Sequence, residues 1–281
     1  MVIGISGKIG SGKDTVAKII QLLSEESNLD KWKWNNEEDI LHDINVEPSD
    51  SCKWEIRRFA DKLKDTVCDW IGCTRAQLED REFKEKPLGE EWNKYVVIPA
   101  NSSEPLSLDS REKAERIALT YGLRLSKSGK VLEHSSVREI IMTPRKMMQL
   151  LGTEAGRKII HPNIWVNTLM NEYIPYLEKL PTDSNANVQK YHREPKWLIP
   201  DTRFPNEAQA VRDRGGILIR VNRPPSLETN RLPDSLQDMR EKHPSETALD
   251  EWTDWDYLIE NDGTIEQLLT KVKEIYNELD R

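Results

Sequence analysis

A glycine-rich segment near the start of the chain carries the clearest chemical signature. Gly7 and Gly12 flank four residues and Lys13 follows directly, which gives the spacing G-x-x-x-x-G-K. Glycines leave room for backbone N–H groups to converge on a phosphate, and the lysine can reach the terminal phosphates. An apolar run precedes this glycine loop (residues 7–12) and a helical pattern follows it. This context favours a phosphate-binding loop over an ordinary glycine-rich turn.

The residues after this lysine depart from the usual loop pattern. That pattern requires serine or threonine at the next position, where a hydroxyl binds Mg²⁺. This chain has Asp14 there, and then Thr15. A carboxylate would bind the ion differently or through water, and Thr15 could offer its hydroxyl to a phosphate instead.

A second candidate group follows a predicted strand in the later part of the chain. Asp201 ends that strand and Arg203 lies two residues on. Ligands of open α/β sheets bind beyond the carboxyl ends of strands, so both should face the same crevice as Lys13. Asp201 could hold a substrate hydroxyl or the Mg²⁺ shell, and Arg203 could neutralise a transferring phosphate. The alternative is an aspartate that caps the next helix and an arginine paired with Glu207.

Basic residues in the middle of the chain leave two interpretations open. Arg145 and Lys146 lie at a predicted helix start, where a cation is unfavourable with the helix dipole, which hints at a bound anion. A solvated arginine on a core-facing helix is an equally good interpretation. A charge-rich stretch upstream contains further cations, of which most should be solvated: Lys64, Arg75, Arg81, Lys84 and Lys86.

The composition excludes several classes of protein. The chain has 41 lysines and arginines against 49 aspartates and glutamates, a balance that argues against a general nucleic-acid coat protein. The three cysteines fit neither a zinc site nor a disulfide framework. No apolar stretch reaches about eighteen residues. We expect a cytoplasmic monomer or homodimer that binds small molecules, with no stable nucleic-acid binding and no membrane association.

The elements that must position these residues follow an α/β pattern. Strands are predicted at residues 2–6, 55–60, 95–98, 197–201, 217–221 and 257–259. Helices are predicted at residues 14–24, 61–70, 111–121, 144–152, 164–177 and 207–214, the last closed by Gly215 and Gly216. Thr264 and Gln267 predict a capping box that opens a final helix. This alternation favours one parallel sheet flanked by helices.

The chain shows no domain linker, so we expect a single domain over residues 1–281. Residues 28–54 are polar and irregular and are interpreted as an insertion or long loop, and residues 89–136 as a second insertion. Residues 122–133 suggest a hairpin. Residues 181–195 suggest a disordered surface loop, and residues 234–254 a polar, mobile loop. In the predicted helix 164–177, Trp165, Leu169 and Ile174 should face inward.

Five blocks of sequence resemble the deoxynucleoside monophosphate kinases of tailed phages, including those of the T-even type. The loop form GKDT looks like that family's own form, with aspartate after the lysine. The blocks PDTR and QLLGT are far more specific in combination than the glycine loop alone. In chain order the blocks are SGKIGSGKDT (residues 6–15), FADKLKD (59–65), TPRKMMQLLGTEAGR with a later IW (143–157 and 164–165), PDTRFPNEAQAVRDRGG (200–216) and NDGTIEQLLTKVK (261–273).

This resemblance implies a nucleoside-monophosphate-kinase-like P-loop fold with inserted lid and substrate-binding segments. It implies ATP-dependent and Mg²⁺-dependent phosphorylation of deoxynucleoside monophosphates to diphosphates. By position, the resemblance implies contact with ATP for Gly10, Ser11, Gly12, Lys13, Asp14, Thr15, Arg203 and Glu207. Arg81 is a weaker match for such a contact. Those implied at the monophosphate are Ile9, Leu63, Lys64, Arg145, Gly152, Thr153, Trp165 and Asp201. The implied catalytic residues are Lys13, Arg145, Asp201 and Arg203, and the implied metal ligands are Asp14 and Thr15.

Two other functions are compatible with the glycine loop. The first is a P-loop kinase that acts on another phosphorylated small metabolite. The second is a nucleotide-sensing module that binds ATP without turnover, which should lack a transfer-site arginine. Arg145 and Arg203 are both present, which favours a kinase.

Overall fold

A computed structural model describes residues 1–25, 37–49, 52–98, 106–121, 123–125, 131–134, 136–179, 190–224 and 244–279. The strands are β1 Val2–Ser6, β2 Trp54–Ile56, β3 Lys94–Ile98, β4 Leu106–Leu108, β5 Leu123–Leu125, β6 Val131–His134, β7 Ser136–Ile140, β8 Tyr176–Lys179, β9 Lys190–Arg193, β10 Lys196–Ile199, β11 Ile217–Asn222 and β12 Tyr257–Glu260. The helices are α1 Lys13–Leu23, α2 Glu37–Asp43, α3 Asp61–Ile71, α4 Arg75–Glu79, α5 Arg81–Glu85, α6 Arg111–Tyr121, α7 Pro144–Gln149, α8 Ile164–Met170, α9 Pro205–Arg212, α10 Pro244–Thr247 and α11 Ile265–Leu279, with a 3₁₀ turn at Glu90–Trp92 and a π-helix at Leu150–Ile160.

The chain divides into two compact units. The sheet unit comprises Met1–Lys62 and His161–Arg281, and the middle unit comprises Leu63–Ile160. Helix α3 begins in the first unit and ends in the second.

The sheet unit is built on five parallel strands in the order β12-β11-β1-β10-β2. All five residues of the central strand β1 are buried, as expected for a strand covered on both faces. The predicted α/β class with a parallel, helix-flanked sheet is therefore confirmed. Because the strands are parallel, their carboxyl ends lie at one edge, where the glycine loop begins.

Helices α1 and α11 share one apolar cluster with this sheet. Helix α1 buries Val16, Ile19 and Ile20, and helix α11 buries Leu268 and Val272 in the same cluster. The recurrence of apolar residues every three or four positions gives each helix its buried face.

Hydrogen bonds confirm two predicted helix ends in this unit, the start of α11 and the end of α9. The Thr264 amide donates to Gln267 Oε1 at 3.0 Å and the Gln267 amide donates to Thr264 Oγ1 at 3.4 Å, which is the capping box of α11. At the end of α9 the amide of Gly215 donates to Arg212 O at 2.8 Å, and that of Gly216 donates to Val211 O at 3.0 Å.

The structure differs from the predicted helix at residues 164–177. Helix α8 ends at Met170, and the residues that follow form strand β8, which pairs antiparallel with β9. Trp165 and Leu169 are buried as predicted, but Ile174 is 66% exposed, so its inward placement was wrong. Ile174 precedes Pro175, and the residue before a proline is disfavoured in the α region.

Three segments interpreted as irregular contain ordered elements. Helix α2 lies within residues 28–54 and buries Ile40, so the irregular interpretation was wrong there. Strand β9 lies within residues 181–195, and α10 with the buried Leu249 lies within residues 234–254. Residues 28–36, 50–51, 181–189 and 234–243 of these segments fall outside the described residues.

The middle unit contains a three-stranded antiparallel sheet in the order β4-β3-β7. The predicted strand 95–98 and helix 111–121 are confirmed as β3 and α6. Strands β5 and β6 pair antiparallel, which confirms the hairpin of residues 122–133, although its turn falls outside the described residues. An apolar cluster that includes Val67, Leu78 and Met147 lies under α3, α4 and α7.

Candidate functional site

The glycine loop connects β1 to α1 in a conformation that requires its glycines. Gly10 and Gly12 have φ angles of +79° and +94°, in the left-handed region that favours glycine. A Cβ at Gly12 would lie 2.5 Å from Asn261 Nδ2, and one at Gly7 would lie 2.3 Å from Ser11 Oγ. The Ser11 hydroxyl is buried, and among the described residues it has no hydrogen-bond partner.

Asn261 holds this loop from the neighbouring part of the sheet. Its buried side-chain amide donates to the carbonyl oxygen of Ser11 at 2.9 Å. Asn261 directly follows β12, so it lies at the same sheet edge as the loop. The sequence assigned Asn261 no role, although its place two residues after the predicted strand 257–259 was the available signal.

Lys13 begins helix α1 with a nearly buried side chain. Its Nζ lies 3.5 Å from Lys8 O and 3.9 Å from Asp14 Oδ2. Burial lowers the pKa of Lys13, and the positive charge of Arg203 lowers it further, against the opposing effect of nearby carboxylates. Two neighbouring cations at a glycine loop are stabilised by an anion, so this region fits a phosphate group.

Asp14 is exposed and forms an ion pair with an arginine that the sequence analysis missed. Arg58 Nη2 donates to Asp14 Oδ1 at 3.0 Å. Burial lowers the pKa of Arg58, but the hydrogen bond to Asp14 and the surrounding carboxylates outweigh it, and the net shift is upward. Thr15 lies half-buried in the first turn of α1. Within the described residues no group of three or more histidine, cysteine, aspartate or glutamate side chains could form a metal site.

Asp201 connects the end of β10 to the segment before α3. Its two carboxylate oxygens accept hydrogen bonds from the amides of Phe59 and Ala60, both at 3.0 Å. Burial raises the pKa of Asp201, and these two amides, together with Arg203 and Arg58, act in the opposite direction. Both oxygens are therefore engaged by backbone amides, a geometry that fixes the position of this carboxylate.

Arg203 contacts two glutamates, Glu207 through its backbone amide and Glu246 through its side chain. Glu207 is 1% exposed, and its Oε2 accepts from the amides of Arg203 at 2.7 Å and Phe204 at 3.1 Å, which caps the start of α9. The guanidinium of Arg203 pairs with Glu246, a residue to which the sequence had assigned no role. Trp165 is buried on α8.

In the middle unit, basic side chains converge on two glutamates. Lys64 Nζ lies 2.6 Å from Glu79 Oε1, and Lys84 Nζ lies 3.7 Å from Glu79 Oε2. Burial raises the pKa of Glu79, but the hydrogen bond and charge of Lys64, then Lys84 and Arg75, lower it overall. Arg145 pairs with Glu85. We call Lys64, Arg75, Lys84 and Arg145 the basic cluster.

Lys84 belongs to this cluster by its electrostatics as well as by distance. Burial lowers the pKa of Lys84, and the charges of Lys64 and Arg145 lower it further, in opposition to Glu79. Spacing alone did not single out Lys84 among the cations of its stretch. The cluster concentrates positive charge on short helices, an arrangement suited to an anionic ligand.

The predicted site residues thus lie in both units. A Cβ at Gly152 would lie 3.0 Å from Leu63 Cδ2, so Gly152 packs closely against α3. Arg81 is exposed on α5 and Thr153 is half-buried on the π-helix. The sheet unit contains Ile9, Gly10, Ser11, Gly12, Lys13, Asp14, Thr15, Trp165, Asp201, Arg203 and Glu207. The middle unit contains Leu63, Lys64, Arg81, Arg145, Gly152 and Thr153.

A parallel sheet whose central strand leads through a glycine loop into a helix that starts with a buried lysine defines a P-loop protein of the kinase type. Residues 112–272, more than half of the chain, match the family model described as deoxynucleotide monophosphate kinase. The chain belongs to this family, and it is a nucleotide kinase.

Two viral relatives support this assignment. The chain is 26% identical over 264 residues to the deoxynucleoside-5'-monophosphate kinase of Escherichia phage T5, a match that covers 89% of this chain and 85% of the relative. It is 30% identical over 129 residues to the deoxynucleotide monophosphate kinase of Enterobacteria phage T4, covering 46% of this chain and 43% of the relative. Across the described residues, no helix combines the length and apolar character needed to cross a membrane.

Proposed function

We propose that this kinase transfers the terminal phosphoryl group of ATP to the phosphate of a deoxynucleoside monophosphate, which yields ADP and a deoxynucleoside diphosphate. The observation that carries the proposal is the pair of cations at the glycine loop, the buried Lys13 and the nearby Arg203. Family membership and the names of the relatives supply the acceptor class.

The proposed chemistry needs charge and positioning rather than a nucleophilic side chain. The acceptor oxygen already belongs to a phosphate anion, so no strong general base is required. Lys13 and the loop amides would grip the β- and γ-phosphates, and Arg203 would offset the charge of the transferring group. Asp201 would organise the acceptor side of the site, a role supported by the two backbone amides that hold its oxygens.

The acceptor phosphate is assigned to the basic cluster. Lys64 and Arg145 each contact a carboxylate in the middle unit, and a phosphate presents oxygens of the same charge-assisted type. A dianionic phosphate would replace Glu79 and Glu85 as the partner of these cations. Lys84 would then add a third charge on the same group.

Mg²⁺ would be held largely by the phosphates of ATP. Asp14 could contact the ion, because its carboxylate is 53% exposed beside the loop lysine. Thr15, the next residue, could supply a hydroxyl. Mg²⁺ keeps several waters and takes one or two carboxylates in kinase sites, which agrees with this donor set. When bound, the ion would neutralise developing charge on the phosphates.

A coupled assay for ADP release tests the proposed function. The reactions contain ATP, Mg²⁺ and one of dAMP, dCMP, dGMP, dTMP or the ribonucleotide counterparts. Release that depends on one or several deoxynucleoside monophosphates is the expected result. ATP binding without acceptor-dependent release would instead favour a sensing module, and release with another phosphorylated metabolite would favour a different kinase.

Lys13→Met, which removes the charge but keeps most of the length of the side chain, should reduce the transfer rate about a hundredfold or more. Lys18→Met is the matched control, because Lys18 lies on the same helix and donates to Asn45 Oδ1 at 2.7 Å. It should retain the wild-type rate. A Lys13→Met variant that folds and transfers at the wild-type rate would remove the glycine loop from the mechanism.

A further inference from the structure

Glu246 places a carboxylate directly against the glycine loop. Its Oε2 accepts a hydrogen bond from the backbone amide of Ile9 at 3.0 Å, and its Oε1 pairs with Arg203 Nη1. The side chain is only 7% exposed. Ile9 lies 237 positions away along the chain, so the contact is made entirely by the tertiary fold.

The two donors that Glu246 engages are of the kind that a nucleotide phosphate uses. A loop amide and a guanidinium together bind an oxyanion through charge-assisted hydrogen bonds. Glu246 also attracts Lys13 electrostatically, because the negative charge of Glu246 acts to raise the pKa of the lysine. The carboxylate therefore interacts with both cations near the loop, Lys13 and Arg203, as well as with the Ile9 amide.

The segment that carries Glu246 is held in place by further contacts. Four residues on, Asp250 lies 3.8 Å from Lys8 Nζ and 3.2 Å from Arg220 Nη2. Between them Leu249 is 3% exposed and anchors the segment to the protein interior. Glu246 is thus presented to the loop by an ordered stretch of chain.

We propose that Glu246 competes with the phosphates of ATP for the Ile9 amide and the Arg203 guanidinium, and that it thereby sets the affinity of this loop for nucleotide. The inference rests on the proposed function, since it takes the glycine loop as the ATP site. One anion replaces another on the same donors. A carboxylate that stayed beside the incoming phosphates would also repel them.

Binding of ATP in the absence of an acceptor, measured by isothermal titration calorimetry, tests this competition. Glu246→Gln keeps the size of the side chain but removes its charge. It should bind ATP about tenfold more tightly than the wild-type protein, which corresponds to about 1.4 kcal/mol. Glu251→Gln is the control, because it removes the same charge from an exposed neighbour and should bind ATP as the wild type does. Equal or weaker binding by Glu246→Gln would overturn the inference and make Glu246 a residue that positions Arg203.

Thermal unfolding provides a second readout that a purely structural role would not give. Without ATP, Glu246→Gln should unfold at a lower temperature than the wild type, since Arg203 loses its charged partner. Saturating ATP should remove this difference, whereas a difference that persists with ATP would contradict competition. If the glutamine variant does not fold, Glu246→Asp tests the same point, because its shorter side chain draws the carboxylate away from both donors and should also tighten binding.

Different results would overturn this inference and the proposed function. Failure of the wild-type protein to bind ATP at all would overturn both. Normal ATP binding that Lys13→Met weakens, together with no gain from Glu246→Gln, would overturn the competition alone.

Discussion

Replacing Gly12 by alanine should destabilise the protein more than the same change at Gly10, although both glycines have positive φ angles of similar size. Alanine in the left-handed region costs about 1–2 kcal/mol at either position. At Gly10 the added Cβ meets nothing within 4 Å among the described residues, so this is the whole effect. At Gly12 the Cβ would lie 2.5 Å from Asn261 Nδ2, and the asparagine would have to move.

Movement of Asn261 breaks its 2.9 Å hydrogen bond to Ser11 O inside the protein. An unsatisfied buried polar group costs about 1–3 kcal/mol, so Gly12→Ala should lose about 2–5 kcal/mol in total. Urea denaturation measures the free energy of unfolding of both variants. The excess at Gly12 should vanish in an Asn261→Ala background, where the next atom near the added Cβ, Leu268 Cδ2, is 4.0 Å away. Equal losses at Gly10 and Gly12, or an excess that survives without Asn261, would refute the reasoning.

Two further predictions concern the basic cluster and the alkaline stability. Lys64→Ala should raise the KM for the monophosphate about tenfold and leave the KM for ATP unchanged, because one charge-assisted hydrogen bond to the acceptor phosphate is lost. Steady-state kinetics in which each substrate is varied in turn measures both values. An equal rise in the two KM values would contradict the prediction. Burial, followed by the negative charge of Glu194, raises the pKa of Tyr173 to about 12 from a usual 10. As the pH rises, the phenol therefore loses its proton first in the unfolded chain, so the free energy of unfolding should fall between about pH 10 and 12. Denaturation curves at several pH values should show a smaller fall for Tyr173→Phe. An equal fall in the wild type and the variant would show that Tyr173 is not the cause.

The local elements around the loop could be predicted from the sequence. The run Val2–Ser6, the glycine loop and helix α1 were identified, because each has a short-range signal: an apolar run, glycine spacing and a helical period. The cap of α11 and the end of α9 were identified for the same reason, since the residues that hydrogen-bond there are three to five positions apart. The helix predicted at residues 164–177 was too long, because the effect of Pro175 on the helix was given too little weight.

The partners of the site residues could not be predicted in this way. Arg58 lies 44 positions from Asp14, Asn261 lies 250 from Ser11, and Glu246 lies 43 from Arg203. No period or motif connects such pairs. They meet because the parallel order of β12, β11, β1, β10 and β2 brings the carboxyl ends of distant strands to one edge.

The amino-acid sequence by itself determined the family, the class of fold and the glycine loop proposed to bind phosphate. Those features depend on residue types at short, fixed spacings, where backbone geometry leaves few alternatives. Only the tertiary structure decided which charges neutralise one another at that loop. The physical reason is that the strength of an ion pair depends on the distance between the charges in space and not along the chain. Glu246 lies in a polar stretch with no periodic pattern, and it gains its role only when the fold buries it beside Arg203 and the Ile9 amide.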